Sequence, residues 1–444
     1  MTDLKQYRIS AGSASALVAE VETAVASGAL APGERLPSVR RLAVDAGLSP
    51  ATVASGLAEL RRRGVVVSEP RRGTRIGERP PLSSVPRPLE VPPGARDLSR
   101  GNPDPDLLPD LAAALSRCEQ PVRLYGEAPE LDELVALARR ALAADGVPGE
   151  HICVVSGALD GIERVLQARL RPGDRVAVED PGYAALYDLL RALGMHLEPV
   201  KLDELGIAPD GLRAAIGRGA RAVVVTPRGQ NPTGAALDAE RAAALRAVLA
   251  EHPSVLAIED DHLGPIAGVP LHTLAGAGPS WAATRSVAKS LGPDLRLALL
   301  SGDATTIARV RGRALCGAGW VSHVLQRLVA TLWADEQVRE RVAIARGRYA
   351  RRREGLLAAL AERGVSAARG SSGLNVWVEV EDEAAAIAAL LGRGWVVAPG
   401  ARYTLTPGGA AIRITTASLR GREAERLAED LAAILSPAPA SRSG

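Results

Sequence analysis

One lysine, Lys289, stands in the stretch RSVAKSLGPDLRLALL between Arg285 and Leu300, with Ser286 three residues before it and Arg296 seven after it. A lysine amine becomes nucleophilic when burial or neighbouring cations lower its pKa, and it then forms Schiff bases with carbonyl compounds. A hydroxyl and a guanidinium flanking such an amine suit a phosphate, which arginine grips with two parallel hydrogen bonds. Solvated loop lysines are common in similar surroundings, so chemistry here depends on what other segments supply.

Those segments are the ends of strand-like runs. Apolar stretches from Ile152 to Val155, Val176 to Val178, Ala222 to Val225, Val255 to Ile258 and Leu297 to Leu300 alternate with Ala/Leu-rich helical patterns. Such alternation implies an α/β fold with a mostly parallel sheet covered on both faces, whose sites form beyond the carboxyl ends of the strands. After Val155 come Ser156, Gly157 and Ala158, small residues entering a helix whose free N–H groups would hold a phosphate; an ordinary βα turn is the alternative. After Val178, Tyr183 would place its ring over a flat ligand. After Val225 the run TPRGQNPTG offers Arg228 and the donor side chain of Asn231, and after Ile258 stand Glu259, Asp260, Asp261 and His262, which would otherwise simply cap the next element.

At 444 residues and 47% hydrophobic composition the chain exceeds one ordinary domain. Its net charge of +3 is uneven: residues 1–79 hold 12 Lys or Arg against 8 Asp or Glu, net +4, which leaves −1 for the rest. A polyanion should therefore meet the N-terminal part. Cys118, Cys153 and Cys316 are odd in number, widely spaced and without a metal-ligand pattern, and read as reduced core residues; no metal is expected. With no run of about 18 apolar residues, a soluble cytoplasmic protein that does not enter membranes is expected.

Within the basic part, Leu17, Val21, Ala24 and Val25 fall at helical spacing before Gly28, and Val39, Leu42, Ala43 and Ala46 form a second set. Gly47 makes a turn, and Ser49-Pro50 starts a third helix with Val53, Leu57 and Leu60 inward. Val65 to Val67 and Thr74 to Ile76 would pair as a wing carrying Arg71, Arg72 and Arg75, with Arg61, Arg62 and Arg63 just before it. A run of arginines is as often a solvated face; helix-turn-helix plus basic hairpin favours DNA. The stretch GALAPGERLPSVRRLAVDAGLSPATVASGLAELRRRGVVVSEPRRGTRI resembles the winged helix-turn-helix of GntR-type bacterial regulators. That resemblance implies that Arg40, Thr52 and Gly73 approach double-stranded operator DNA. Pro50 and Ala54 stand where many members carry arginine, which shifts phosphate contact toward Arg71 and Arg72.

From Asp97 onward the ordered strand-end motifs, NPTG at Asn231 to Gly234 and SVAK ending at Lys289 above all, resemble the fold-type I aminotransferases that use pyridoxal 5′-phosphate. The resemblance implies a large transferase domain with a smaller C-terminal α+β subdomain. By it Lys289 forms the Schiff base, Asp260 pairs with the pyridine nitrogen, Asn231 bonds the phenolic oxygen and Tyr183 stacks on the ring. Ser156, Gly157, Ala158, Ser286 and Arg296 hold the phosphate. Asp260 is preferred to Asp261 because Asp-x-His262 keeps the family's Asp-x-Tyr interval; His262 stands where the family has tyrosine, and either takes over its bond to the phenolic oxygen or leaves that bond unmade. Arg413, in AIRIT, matches the arginine that grips a substrate carboxylate. Tyr125 matches a tyrosine sent into the neighbouring subunit, which implies a homodimer.

The fusion of the two halves resembles the MocR subfamily of GntR-type regulators. Residues 1–76 are expected to be the winged helix-turn-helix, 77–96 a Pro-rich linker, 97–436 the aminotransferase-like domain and 437–444 a disordered tail. A second effector-binding arginine found in some members is Ala185 here, and Arg228 is the candidate to replace it. The expected function is regulation of transcription by sensing pyridoxal phosphate or an amino-acid-type effector rather than enzymatic turnover. The alternative is an active aminotransferase with an appended DNA-binding module.

Overall fold

A computed structural model describes residues 12–69, 73–77, 91–119, 121–406 and 408–435. The expected tail and most of the expected linker lie outside these residues, as do Arg71 and Arg72. The N-terminal unit holds three helices, α1 (Ala14–Ala26), α2 (Val39–Ala46) and α3 (Pro50–Arg62), and a hairpin of β1 (Val66–Glu69) and β2 (Gly73–Ile76). Each helix starts as its sequence dictates. Ser13, Ser38 and Ser49 accept backbone N–H bonds as N-caps, Pro50 fills the first turn of α3, and Gly47 closes α2 at φ 64°. Leu17, Val21, Leu42, Val53, Leu57, Leu60 and Ile76 meet in one core. Each such aliphatic side chain contributes about 1.5–3 kcal/mol by leaving water.

The second unit is α/β. Its eight-stranded sheet runs in the order β4-β11-β10-β9-β8-β5-β6-β7. The short β3 (Arg96–Asp97) lies outside it and pairs with β13 (Trp395–Val396), so Arg96, read as the last linker residue, is a strand residue. The sheet comprises β4 (Ile152–Val155), β5 (Arg175–Asp180), β6 (His196–Asp203), β7 (Gly206–Ile207), β8 (Ala220–Val225), β9 (Leu256–Asp261), β10 (Trp281–Ser286) and β11 (Ala298–Gly302). Strands β8, β9 and β10 are parallel, and β11 is antiparallel to both its neighbours, β10 and β4. All residues of β9, β10 and β11 are buried, as a sheet covered on both faces requires.

Besides Arg96 and the strands β6 and β7, which the strand-like runs did not include, two features differ from the sequence reading. Arg285 and Ser286 belong to a strand, β10, not to a loop: the run WAATRS is fully buried although it lacks the Val/Ile signature. Cys316 is exposed rather than in the core, beyond the end of the helix Ala304–Ala314. Cys153 is buried, and its thiol is pushed up to about 12, first by loss of hydration. A C-terminal antiparallel sheet, β12 (Asn375–Val380), β15 (Ala410–Thr415) and β14 (Ala398–Pro399), packs its own core with the helices Glu336–Glu362, Glu383–Gly392 and Glu423–Leu435. No helix among the described residues is long and apolar enough to cross a membrane.

Candidate functional site

The strand register gathers the expected phosphate ligands. Val155 pairs with Ala298 and Ala298 with Ser286, so the ends of β4, β11 and β10 form one line across the sheet. Beyond it, Gly157 caps the helix Ala158–Arg169 at φ 106°, a conformation open to glycine. Arg296, itself left-handed at φ 43°, reaches over this turn and donates to the Ser156 carbonyl at 3.4 Å. A Cβ on Gly157 would stand 3.0 Å from Arg296 Nη2. The Ser156 N–H is turned to Asp160 at 2.8 Å, and the Ser286 hydroxyl accepts the Ala288 N–H at 3.2 Å.

Lys289 lies on the short helix Ala288–Leu291 that follows β10, and its Nζ donates to the Gly101 carbonyl at 2.6 Å. Burial, aided by the Arg413 charge, pulls this amine down to about 8. His262 follows β9; burial and then the Lys289 charge hold its imidazole at about 4, so it is neutral near pH 7.

Neighbouring carboxyls Asp260 and Asp261 meet opposite environments, because successive strand side chains face opposite sides of the sheet. Asp260 has a hydroxyl contact from Thr284 at 3.4 Å, and burial followed by the Asp261 charge pushes it up to about 7. Asp261 accepts two bonds of 2.9 Å from Arg228 and one of 2.8 Å from Arg285, which hold it below the usual range despite its burial. Arg228, the expected effector cation, is therefore committed elsewhere: it is 4% exposed and held by Asp261 and by Asp145 at 3.2 Å. Its position in TPRGQNPTG gave the turn but not the face.

Arg413 on β15 is 4% exposed. It donates to the Ser99 carbonyl and, at 3.2 Å, to Asn231 Oδ1, and its guanidinium lies 4.8 Å from the centre of the Tyr403 ring. Its Nε has no partner, and it forms no ion pair with a carboxylate among the described residues. Desolvation lowers its pKa accordingly. Asn375 also donates to Asn231 Oδ1, at 3.4 Å, which leaves the Asn231 amide nitrogen as the group to present to a ligand. Asp180 at the end of β5 accepts from Leu405 N, Thr406 N and Thr406 Oγ1 at 2.9, 3.0 and 2.6 Å, while Gly182 N donates to the Tyr403 carbonyl at 2.8 Å. Tyr183, in the same turn, is 39% exposed, and burial then the Asp260 charge raise its phenol. Tyr125 is 92% exposed and touches Trp320 edge to face, with 5.7 Å between ring centres. Ser99, Gly101, Thr284, Asn375 and Tyr403 escaped the sequence reading, since none stands in a motif.

In the N-terminal unit Arg40 is exposed on the first turn of α2, and the Thr52 hydroxyl is 2.8 Å from the capping Ser49 hydroxyl. Gly73, at φ 84°, packs where a Cβ would meet Arg35 at 3.1 Å, so Arg35 joins the base of the wing. Arg63 is withdrawn from the basic set by Glu59 at 2.8 Å and Glu22 at 3.1 Å.

Comparison with known proteins completes this picture. Residues 13–76 match the bacterial regulatory proteins of the gntR family, and residues 96–431 match aminotransferase class I and II. The chain is 40% identical over 411 residues to the vitamin B6 salvage pathway transcriptional repressor PtsJ of Salmonella typhimurium, covering 92% of this chain and 95% of that one. The chain belongs to the MocR-type regulators of the GntR family. It is also 33% identical over 279 residues to the pyridoxine biosynthesis transcriptional regulator PdxR of Corynebacterium glutamicum, 59% of this chain and 60% of that one. Among solved structures, the α-aminoadipate aminotransferase LysN of Thermus thermophilus shares the fold, with a TM-score of 0.68 at 22% identity over 77% of this chain and 93% of that one. This MocR-type chain is thus a transcriptional regulator that joins a DNA-binding winged helix to an aminotransferase-like domain, and that domain indicates pyridoxal 5′-phosphate as cofactor.

Proposed function

We propose that this regulator holds pyridoxal 5′-phosphate at Lys289 and adjusts operator binding to the occupancy of that site by cofactor or by an amino-acid-type effector. The observation that carries the proposal is Arg413, a buried guanidinium with an unpartnered Nε and no carboxylate of its own. An isolated buried charge is costly unless a ligand supplies its counter-ion, and a ligand carboxylate does so in two-point geometry. The rest of the constellation fits the cofactor. Ser156, Gly157, Ala158, Ser286 and Arg296 stand at the ends of β4, β11 and β10, where the Arg296 guanidinium reaches over a Gly157 turn that a Cβ would crowd. When bound, the cofactor supplies an aldehyde that combines with primary amines and a ring that takes up electrons.

The chain's own residues prepare that chemistry. Lys289, with its amine near 8, offers a nucleophilic nitrogen at modest cost. Asp260 faces the site and would hold a proton on the ring nitrogen, Asn231 would donate to the phenolic oxygen, neutral His262 would stand beside it, and Tyr183 would cover the ring face. Tyr125, 92% exposed in a single chain, would enter a partner's site in a homodimer. Arg40, Thr52 and Gly73, with Arg71 and Arg72, are the DNA-contacting set.

The test is operator affinity with and without pyridoxal phosphate, and cofactor affinity with and without operator duplex. Linkage requires both factors to be equal, typically roughly 5- to 150-fold. Equal affinities in all four states would remove the sensing role. Steady-state assays with amino and keto acid pairs should show no sustained turnover.

A further inference from the structure

Behind β9, on the face away from Asp260, four charged groups form a closed cluster. Asp261 accepts from Arg228 Nε and Nη2 at 2.9 Å each and from Arg285 Nε at 2.8 Å. Asp145, at the end of the helix Asp132–Ala144, lies 2.7 Å from Arg285 Nη2 and 3.2 Å from Arg228 Nη2. The backbone joins in, with Gly264 N donating to Asp261 at 3.2 Å, Arg228 Nη1 to the Val269 carbonyl at 3.3 Å and Arg285 Nη1 to the Ala141 carbonyl at 3.1 Å. Two guanidiniums and two carboxylates balance, so the cluster is neutral. Arg228, Asp261 and Arg285 are all at most 5% exposed.

What the cluster joins is specific. Arg228 is three residues before Asn231, Asp261 is next to Asp260, and Arg285 precedes Ser286 and stands four residues before Lys289. Arg285 and Asp261 are also direct partners across β10 and β9, as are Thr284 and Asp260 on the other face. The three strand ends that supply the ring-nitrogen acid, the phenolic-oxygen donor and the phosphate and amine residues are therefore bolted together from behind. Buried ion pairs of this kind add little net stability compared with apolar packing, and their attested use is to fix one arrangement among alternatives.

We propose that Arg228, Arg285, Asp145 and Asp261 are positioning residues that set which carboxylate faces the cofactor ring, by holding Asp261 away from it and locking Asp260 toward it. The proposal rests on the cofactor reading above. With both guanidiniums shared between Asp261 and Asp145, turning β9 so that Asp261 faced the ring would break the three charge-assisted hydrogen bonds that Asp261 accepts behind the sheet. Asp260 is thereby kept in line with the ring nitrogen, as outer partners orient the groups that touch a bound centre. Arg228 thus acts on the cofactor through Asp261, not on an effector.

The experiment compares equilibrium binding of pyridoxal 5′-phosphate and of its 1-carba analogue, which has CH in place of the ring nitrogen, by tryptophan fluorescence. It uses the full-length wild-type protein, Arg228→Lys and Arg228→Met, with far-UV circular dichroism as the folding control. The wild type should favour pyridoxal phosphate, and that preference should shrink by about tenfold in Arg228→Met and by less in Arg228→Lys. If Arg228→Met does not fold, Arg228→Lys, which keeps the charge but loses the two-point grip, carries the comparison alone. Equal loss of affinity for both compounds marks a merely structural cluster and overturns the proposal. A wild type that binds both compounds alike also overturns it, because Asp260 then does not read the ring nitrogen. A wild type that binds neither overturns the cofactor reading itself, and the cluster's role with it.

Discussion

Lys289 Nζ and the Gly101 carbonyl are joined by a 2.6 Å hydrogen bond, and Gly101 also walls the pocket of Arg413, since a Cβ there would stand 3.6 Å from its Nη2. One glycine thus sits between the Lys289 amine and the Arg413 guanidinium, at a φ of 67° that other residues adopt at a cost of roughly 1–2 kcal/mol. Gly101→Ala should weaken amino-acid binding more than it weakens cofactor binding. Titration of holoprotein with amino acids, followed by visible absorption, checks this; equal losses for both ligands would discard Gly101 as a wall of the effector pocket.

Burial and Arg413 lower the Lys289 amine to about 8. The neutral amine is the reactive form, so cofactor uptake should accelerate as pH rises and level off above a midpoint near 8. Borohydride should then fix the cofactor covalently in the wild type and fail to do so in Lys289→Ala. Fixation at another lysine would show that the assignment is misplaced.

Arg413 gives a prediction of opposed signs. Replacing a whole buried ion pair with apolar side chains of similar volume is often neutral or stabilising by about 1–4 kcal/mol, and a buried cation with no carboxylate partner leaves no opposite charge stranded when it is removed. Arg413→Met should therefore melt at the same or a higher temperature without ligand, while its affinity for amino acids falls by about 2–5 kcal/mol. A lower melting temperature would mean that the bonds to Ser99 and Asn231 matter more than the stranded charge.

Glu259 is buried, accepts from Thr273 Oγ1 at 2.5 Å and Leu274 N at 2.6 Å, and is raised to about 7, first by desolvation. Its folded-state pKa lies above its unfolded value, so the stability it contributes is complete below about 4.5 and is lost as pH rises through about 7. Glu259→Gln keeps the acceptor for Leu274 and removes the charge. It should flatten the pH dependence of stability between those limits by up to about 3 kcal/mol, read by urea denaturation at pH 5 and pH 8. An unchanged slope would show that Glu259 is ionised throughout.

DNA binding by the winged helix should weaken steeply with salt, because arginines displace counterions from phosphates. Arg40→Ala should cost about 1–3 kcal/mol at the operator if Arg40 reads a base edge. Arg63→Ala should leave DNA affinity nearly unchanged, since Glu59 and Glu22 already hold that guanidinium. Electrophoretic mobility shifts across a salt series separate these outcomes.

The winged helix was legible because its signals are local: Ser13, Ser38 and Ser49 cap, Gly47 stops α2, and the apolar spacing is helical. The large sheet was legible through five of its strands, but β6, β7 and β10 were not; WAATRS gains its strand state from neighbours on both sides rather than from propensity. Side-chain direction was the harder matter. The interval to His262 favoured Asp260, while nothing local showed that Arg228 would turn to Asp261 33 residues later. Ser99, Gly101 and Tyr403 reach the site only through tertiary packing, which no spacing encodes.

The bonds from Asp180 and Gly182 to the segment from Tyr403 to Thr406 have an evolutionary consequence. The turn that carries Tyr183 is stitched to the segment that floors Arg413, so mutations in that segment should shift Tyr183 and Arg413 together. New ligand preferences within this family should therefore accumulate at sites outside the stitch, leaving Asp180 and Thr406 as a shared inheritance among regulators that answer to different small molecules.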